Sequence, residues 1–193
     1  MLLSRGLAPA FPRVIMMKPL QILISVLIFF GSCSGFIQHA FGQEKIEDFK
    51  IKALFVYQFT KYVTWPRREG PFRIVVIDPD SRFSEFLVNA TKSKKVNDSD
   101  IEIIHFQSPP DHIKGEMLVL MTKDRRLVRE ANRKRIEKGI LVVGDDGTTL
   151  NDGVMIQLKL IDHRLKFLID KGLIEKSDLS VSSRLLQLAT EVK

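Results

Sequence analysis

The sequence has few residues that could form covalent cross-links. Its 193 residues include a single cysteine, Cys33, and that residue lies near the amino terminus. We therefore expect the rest of the chain to carry neither a disulfide nor thiol chemistry. Its stability must then come from packing, for which the chain is long enough.

Acidic residues are missing from the first 42 positions, although the whole chain holds 23 of them. Three basic residues precede an apolar run from Leu20 to Phe30, and small residues follow it. This pattern predicts that residues 1–42 are a secretory signal peptide, with Gln43 as the mature amino terminus and a periplasmic location. The run is shorter than the ~20 residues of a spanning helix. An uncleaved anchor and a lipoprotein cut before Cys33 are the alternatives.

Residues 43–193 lack the sequence motifs of common catalytic sites. There is no Gly-x-Ser-x-Gly, no His-Glu-x-x-His, no phosphate-binding glycine loop and no dinucleotide fingerprint. His105, His112 and His163 have no second ligand at a spacing suited to a metal. The sequence therefore predicts a single domain that is not an enzyme and binds no metal or cofactor.

The positive charge of residues 43–193 is modest. Three of the 30 basic residues lie in the leader, and the remaining 27 face 23 acidic residues, which leaves a net charge of +4. Nothing demands a nucleic-acid partner, and the basic residues lack the interleaved aromatics that stack on bases. The densest basic segment includes Arg129 and Arg133 and is predicted to be a helix, capped by Thr122 or Asp124, that runs to about Lys138. These two residues could dock to an acidic partner or to membrane phosphates. The alternative is a solvated helix face.

Apolar runs alternate with helical patterns along the chain. Four runs predict buried strands of a parallel sheet: Phe72–Ile77, Ile101–Phe106, Glu116–Met121 and Ile140–Val143. Two later runs, Val154–Leu160 and Leu165–Ile169, predict an antiparallel hairpin. A last helix that begins at Ser180 or Ser182 is expected to point Leu185, Leu186, Leu188 and Ala189 inward. The expected fold is a layered α/β sandwich with a mostly parallel central sheet, an antiparallel C-terminal hairpin and flanking helices.

The first helix of this domain is predicted to end at Trp65-Pro66, because proline cannot continue a helix. Its packed face is expected to hold Ile51, Leu54, Phe55, Gln58, Phe59 and Tyr62, which recur at spacings of three and four. Trp65 is expected to be a partly exposed anchor, since indole rings are enriched at interfaces. Trp65 and the neighbouring Lys61 are therefore predicted to contact a partner.

Polar residues follow the predicted parallel strands. They are Asp78, Asp80, Ser108, Thr122, Lys123 and the Gly144–Gly147 turn. Asp80 or Ser81 is expected to cap the short helix that follows the first of these strands. Ligands of open α/β sheets bind beyond the carboxyl ends of the strands. This pattern supports an alternative function, a small-molecule-binding module without catalysis. Ordinary turn and cap chemistry uses the same residue types.

Two motifs near the ends of the domain resemble the YfiR-like family. The first holds Lys52, Ala53, Tyr57, Phe59, Trp65 and Pro66; the second holds Phe167, Ile169, Asp170, Ser182, Leu185, Leu186, Leu188 and Ala189. The resemblance implies a dimeric periplasmic regulator. Such a protein binds the periplasmic domain of an inner-membrane diguanylate cyclase and holds it inactive, which tunes cyclic di-GMP signalling, biofilm formation and motility. Family members usually carry Asn where Gln58 and Asp170 stand, and several contain disulfides.

Overall fold

The structure is a computed structural model that describes residues 34–66, 69–162 and 164–193, with side chains from Ile46 onward. The chain divides into two compact units, Met1–Gln43 and Glu44–Lys193, and the second contains the sheet. The apolar run of the predicted signal peptide, Cys33 and His163 lie outside the described residues. The signal peptide, its cleavage and the domain boundary stay predictions.

The helices and strands alternate along the chain. The helices are α1 (Ser34–Tyr62), α2 (Arg82–Thr91), α3 (Arg125–Arg133), α4 (Lys171–Lys176) and α5 (Ser183–Leu188), with a 3-10 turn at Leu150–Asp152. The strands are β1 (Val63–Thr64), β2 (Phe72–Ile77), β3 (Lys95–Val96), β4 (Ser99–Phe106), β5 (Met117–Leu120), β6 (Leu141–Gly144), β7 (Ile156–Ile161), β8 (Arg164–Ile169), β9 (Ser180–Val181) and β10 (Glu191–Val192).

Eight strands form one sheet in the order β10-β8-β7-β6-β5-β2-β4-β3. The central pairings β4-β2, β2-β5, β5-β6 and β6-β7 are parallel, whereas β7-β8 and β3-β4 are antiparallel. β1 and β9 pair separately in a small antiparallel sheet. The predicted α/β fold with its antiparallel C-terminal hairpin is confirmed.

β5 and β6, in the middle of the sheet, are wholly apolar, as is typical of strands that are covered on both faces. Every residue of β5 and β6 is buried. α1 and α2 lie together, with the Phe49 and Phe83 rings 6.1 Å apart. β2 to β4 and β5 to β6 run in opposite directions across the sheet. Right-handed crossovers therefore place α2 and α3 on opposite faces.

The packed face of α1 differs from the prediction. Leu54 is 50% exposed and Gln58 is exposed, whereas Ala53 and Val56 are fully buried. Small and β-branched side chains meet the sheet most closely, and this rotates the helix away from the face that the largest residues define. Of the predicted face, Phe59 is buried, and Ile51, Phe55 and Tyr62 are half-buried.

Two helix ends also differ from expectation. α1 stops at Tyr62, three residues before the predicted Trp65-Pro66 end, because Val63 and Thr64 pair with β9. α3 was predicted to continue to about Lys138 and instead ends at Arg133. There the chain turns to the sheet, and the Ile113 backbone amide donates to the Lys134 carbonyl at 2.9 Å. In both places, strand-type pairing outcompetes helix propagation.

Candidate functional site

A crevice opens at the point where the strand order of the sheet reverses. From β2 the chain crosses to β4 on one side and then returns to β5 on the other side. The connections that follow β2 and β5 therefore leave the sheet in opposite directions. The gap between them, at the carboxyl ends of the two strands, is where open α/β sheets usually bind their ligands. The crevice has a volume of about 470 Å³ and is lined by Asp48, Phe49, Lys52, Asp78, Pro79, Asp80, Met121, Thr122, Lys123 and Asp145. Ser108, also expected there, is not among these residues.

A buried ion pair joins α1 to the far wall of this crevice. Lys52 Nζ lies 2.6 Å from Asp145 Oδ1, and the two side chains are 8% and 13% exposed. At this separation the Lys52 ammonium is the partner of the buried Oδ1 atom. The sequence singled out Lys52 as part of the first family motif and gave no partner for it. Its partner could not be predicted from the sequence, because Asp145 follows a strand that is remote along the chain and meets α1 only in the folded protein.

The turn that carries Asp145 is held rigidly. Its amide donates to the Leu120 carbonyl at 3.0 Å, and its carbonyl accepts from the Thr148 amide at 3.1 Å and hydroxyl at 2.6 Å. A side chain at Gly144 would overlap the Thr148 hydroxyl. The backbone of Asp145 is therefore positioned by β5 and by the turn after β6.

The other buried acid, Asp78, closes the end of β2. Its Oδ2 accepts a hydrogen bond from the Phe83 amide at 2.8 Å, which caps α2. Its carbonyl accepts from His105 Nε2 at 2.9 Å. Asp80 or Ser81 was the expected cap, but Ser81 has a left-handed φ of 60° and makes no side-chain cap bond. Asp78 therefore stabilises the fold as well as lining the crevice.

The crevice offers more acceptors than donors. Four carboxylates and two lysines line it, and the Lys52 ammonium is already paired. Within the described ranges, no group of three or more His, Cys, Asp or Glu residues could hold a metal ion. Arg82 also lies beside two of the lining residues, 3.7 Å from Asp80 and 5.8 Å from the Phe49 ring centroid, so these charges do not select the sign of a ligand.

The basic helix α3 is partly neutralised by an acid that the sequence did not single out. Asp152 is 3% exposed, and Arg125 donates to its two carboxylate oxygens at 2.8 and 3.0 Å. Thr149 donates to it at 2.8 Å, and Arg129 lies 3.9 Å away. The hydrogen bond from Arg125 holds the pKa of Asp152 below its ordinary value. The sequence showed only that Asp152 lies in a turn, Asn151-Asp152-Gly153, which did not indicate that it pairs with α3.

The remaining cations of α3 and its C-terminal end differ in their surroundings. Lys134 pairs with Glu130 at 2.9 Å, and burial lowers the pKa of Arg135. Arg133 is exposed and makes no ion pair with a described residue. Of the predicted docking pair, Arg129 is therefore partly engaged internally and Arg133 faces solvent.

Trp65 is buried, and the expectation of a partly exposed anchor is wrong. The residue is 8% exposed, and its indole Nε1 donates to the Glu116 carbonyl at 2.8 Å. Its ring meets the Phe72 ring edge-on, with centroids 5.0 Å apart. The indole satisfies its donor inside the protein, so it needs no interface. Lys61 is exposed and lies 4.9 Å from the Tyr57 ring centroid.

The two end motifs meet in space. The Phe59 and Phe167 rings are 5.4 Å apart, and the Ser182 amide donates to the Tyr62 carbonyl at 2.9 Å. Asp170 and Ser182 cap α4 and α5 through their side chains. The two motifs therefore join α1 to the C-terminal part of the sheet.

The C-terminal motif leaves one large apolar residue in solvent. Leu188 was expected to point inward but is 61% exposed, the highest value among the large apolar side chains described. Leu185 is buried in its place, while Leu186 and Ala189 are half-buried. A six-residue helix has room for one packed stripe, and Leu188 lies off it.

A family described as YfiR/HmsC-like (DUF4154) matches residues 49–190, well over half of the chain. No curated protein matches the sequence significantly. Among the described residues, no helix is both long and apolar enough to cross a membrane.

Proposed function

The chain belongs to the YfiR/HmsC-like family, and we propose that it is an exported protein that represses a membrane-bound diguanylate cyclase by direct protein contact. The family is regulatory and non-catalytic, and it points to a periplasmic regulator of diguanylate cyclase. The match over residues 49–190 carries this proposal, because it includes α1 from Phe49, the whole sheet up to β8 and both end motifs. The contact with the cyclase's periplasmic domain would keep cyclic di-GMP synthesis low.

The partner surface that we propose lies where α5 meets the end of α1. Ser182, just before α5, is bonded to Tyr62, and Thr190, just after α5, donates to the Phe167 carbonyl at 2.9 Å. α5 is therefore held to the end of α1 on one side and to β8 on the other. The exposed Leu188 side chain would supply the apolar centre of this surface. Lys61, the residue before Tyr62 on α1, is the candidate for its charged rim, as in many protein interfaces.

The predicted residues take different parts in this proposal. Lys61 stays a candidate contact, and Arg133 with Arg129 stays a second candidate surface for an acidic partner. Trp65 acts from inside, by fixing the chain after α1 through its bond to Glu116. A homodimer, which the family resemblance implies, is an expectation that sedimentation of the purified protein tests.

Deletion of the gene tests the function. Loss of a repressor should raise cellular cyclic di-GMP, and expression of the wild-type protein should restore the low level. Unchanged cyclic di-GMP, in cells without a second family member, would contradict the proposal.

A pair of leucine and valine substitutions tests the surface. Leu188→Asp should weaken repression at least about tenfold, because central apolar contacts dominate interface energies. Val88→Asp is the matched control, since Val88 is 50% exposed on α2 and far from the end motifs along the chain. Both proteins should unfold at similar urea concentrations. Equal repression by the two variants would move the partner surface elsewhere.

A further inference from the structure

The outward face of α1 is open to solvent and partly apolar. Leu54 lies in its middle and is 50% exposed, and Ile46 is 41% exposed. Glu47 and Lys61 lie on the same face, because each is seven residues, or almost two helical turns, away from Leu54. We propose that this face binds the same face of a second copy of the chain, with the two α1 helices antiparallel and crossing at Leu54. The family match gives no surface for a dimer.

The charges of this face complement one another in that arrangement. A twofold axis at Leu54 brings Glu47 to the level of Lys61 of the partner subunit, because both residues lie about 10 Å from Leu54 along the helix, in opposite directions. The symmetry forms the same pair twice. A parallel pairing in register would instead place Glu47 beside Glu47 and Lys61 beside Lys61. The order of charges along α1 therefore favours the antiparallel pair.

Both charges are accessible to a second copy. Lys61 is exposed, its ammonium nitrogen lies 4.9 Å from the Tyr57 ring centroid, and no described carboxylate pairs with it. Glu47 pairs with Lys50 at 2.7 Å, and these two side chains are 57% and 50% exposed. A solvent-exposed pair of this kind contributes little to stability by itself. Glu47 can therefore accept Lys61 of the partner subunit as a second cation.

The centre of the contact is apolar and its flanks are polar. Leu54 meets Leu54 of the partner subunit at the axis, and the half-buried Ile51 lies one turn away. The exposed Gln58 comes to the level of Lys50 of the partner subunit, where its amide oxygen can accept a hydrogen bond from the ammonium group. A single helix face makes a small interface, so we expect a dissociation constant on the order of 10 μM.

Sedimentation velocity of the purified protein, from about 1 to about 200 μM, tests the contact. We expect a monomer–dimer equilibrium, and Leu54→Glu should weaken dimerisation at least about tenfold because it buries two carboxylates at the axis. Val88→Glu is the matched control, since Val88 on α2 is also 50% exposed, and it should leave the equilibrium unchanged. A wild-type protein that stays monomeric at the highest concentration, or equal effects of the two substitutions, would overturn the proposal.

Charge reversal tests the antiparallel pairing. Glu47→Lys and Lys61→Glu should each weaken dimerisation about fivefold, because like charges then meet at both ends of the contact. The protein with both substitutions should regain the wild-type dissociation constant, and an equimolar mixture of the two single variants should form mixed dimers. A double variant that dimerises no better than either single variant would refute this register.

The contact does not rest on the proposed repressor function, because none of these measurements includes a cyclase. Leu188→Asp, which tests the proposed partner surface, should leave the dimer intact, since Leu188 lies on α5 and not on this face of α1. Loss of the dimer in Leu188→Asp at unchanged stability would place the dimer contact on α5 and contradict the assignment to α1.

Discussion

Breaking the Lys52–Asp145 ion pair should be among the more costly single changes in this protein. The two charged atoms are 2.6 Å apart, and both side chains are close to fully buried. Removing one partner of a fully buried pair costs about 3–5 kcal/mol, because the other charge is left without compensation. Asp145→Asn leaves the more deeply buried Lys52 ammonium unpaired, so we expect a loss of about 3–4 kcal/mol. Lys52→Met leaves a carboxylate that water in the crevice can reach, so about 2–3 kcal/mol is expected.

The double variant, Lys52→Met with Asp145→Asn, distinguishes the coupling energy of the ion pair from independent destabilisation by each substitution. When both charges are removed, the loss should be smaller than the sum of the single losses by about 2 kcal/mol, the coupling of two groups in contact. Urea unfolding followed by circular dichroism measures this. With a slope of about 2 kcal/mol/M, a 3 kcal/mol loss lowers the midpoint by about 1.5 M. Single losses under about 0.5 kcal/mol, or additive losses within that margin, would refute the buried ion pair.

Three further substitutions test other parts of the account. Trp65→Ala should lower the free energy of unfolding by about 3–5 kcal/mol through its cavity, and Trp65→Phe by about 1–2 kcal/mol through the lost bond to Glu116. A Trp65→Ala protein of wild-type stability would contradict its burial. Gly144→Ala should cost about 1–3 kcal/mol, since the new methyl group meets Thr148; an unchanged urea midpoint would argue against the tight turn. Asp152→Asn should destabilise by about 2–3 kcal/mol at neutral pH. Because the pKa of Asp152 is lowered in the folded protein, this stabilisation is present above its ordinary value of 3.8 and disappears as pH falls through the lowered folded value. A pH-independent difference between wild type and variant would refute it.

The strands were predictable because helices bury the central strands on both faces. Such strands read as continuous apolar runs, and β2, β5 and β6 lie within two residues of their predicted bounds. The antiparallel β7-β8 pair was equally clear from its turn and alternation. The short β1-β9 sheet was missed because two-residue strands have no period to detect.

The orientation of α1 was not predictable from its largest residues. Both faces of this helix are apolar enough to pack, so periodicity alone leaves its rotation undetermined. The sheet selects the face with Ala53 and Val56 because small side chains allow close approach, and Leu54 is left exposed. The burial of Trp65 was not predictable for a similar reason, because its indole bonds to Glu116, 51 residues away in the sequence.

The crevice was half predictable. Strand ends named Asp78, Asp80, Thr122 and Lys123 correctly, because parallel strands bring their carboxyl ends to one edge. The helix wall with Asp48, Phe49 and Lys52 could not be predicted, since it depends on how α1 crosses that edge. The Arg125–Asp152 contact could not be predicted for the same reason, because it depends on where α3 packs in the folded protein.

The most direct test of the central claim is the initial rate of cyclic di-GMP synthesis from GTP by detergent-solubilised membranes of the deletion strain. Purified wild-type protein should lower this rate saturably, and Leu188→Asp should require at least about tenfold more protein for the same effect. A rate that wild-type protein leaves unchanged at saturating concentrations would contradict repression by direct contact.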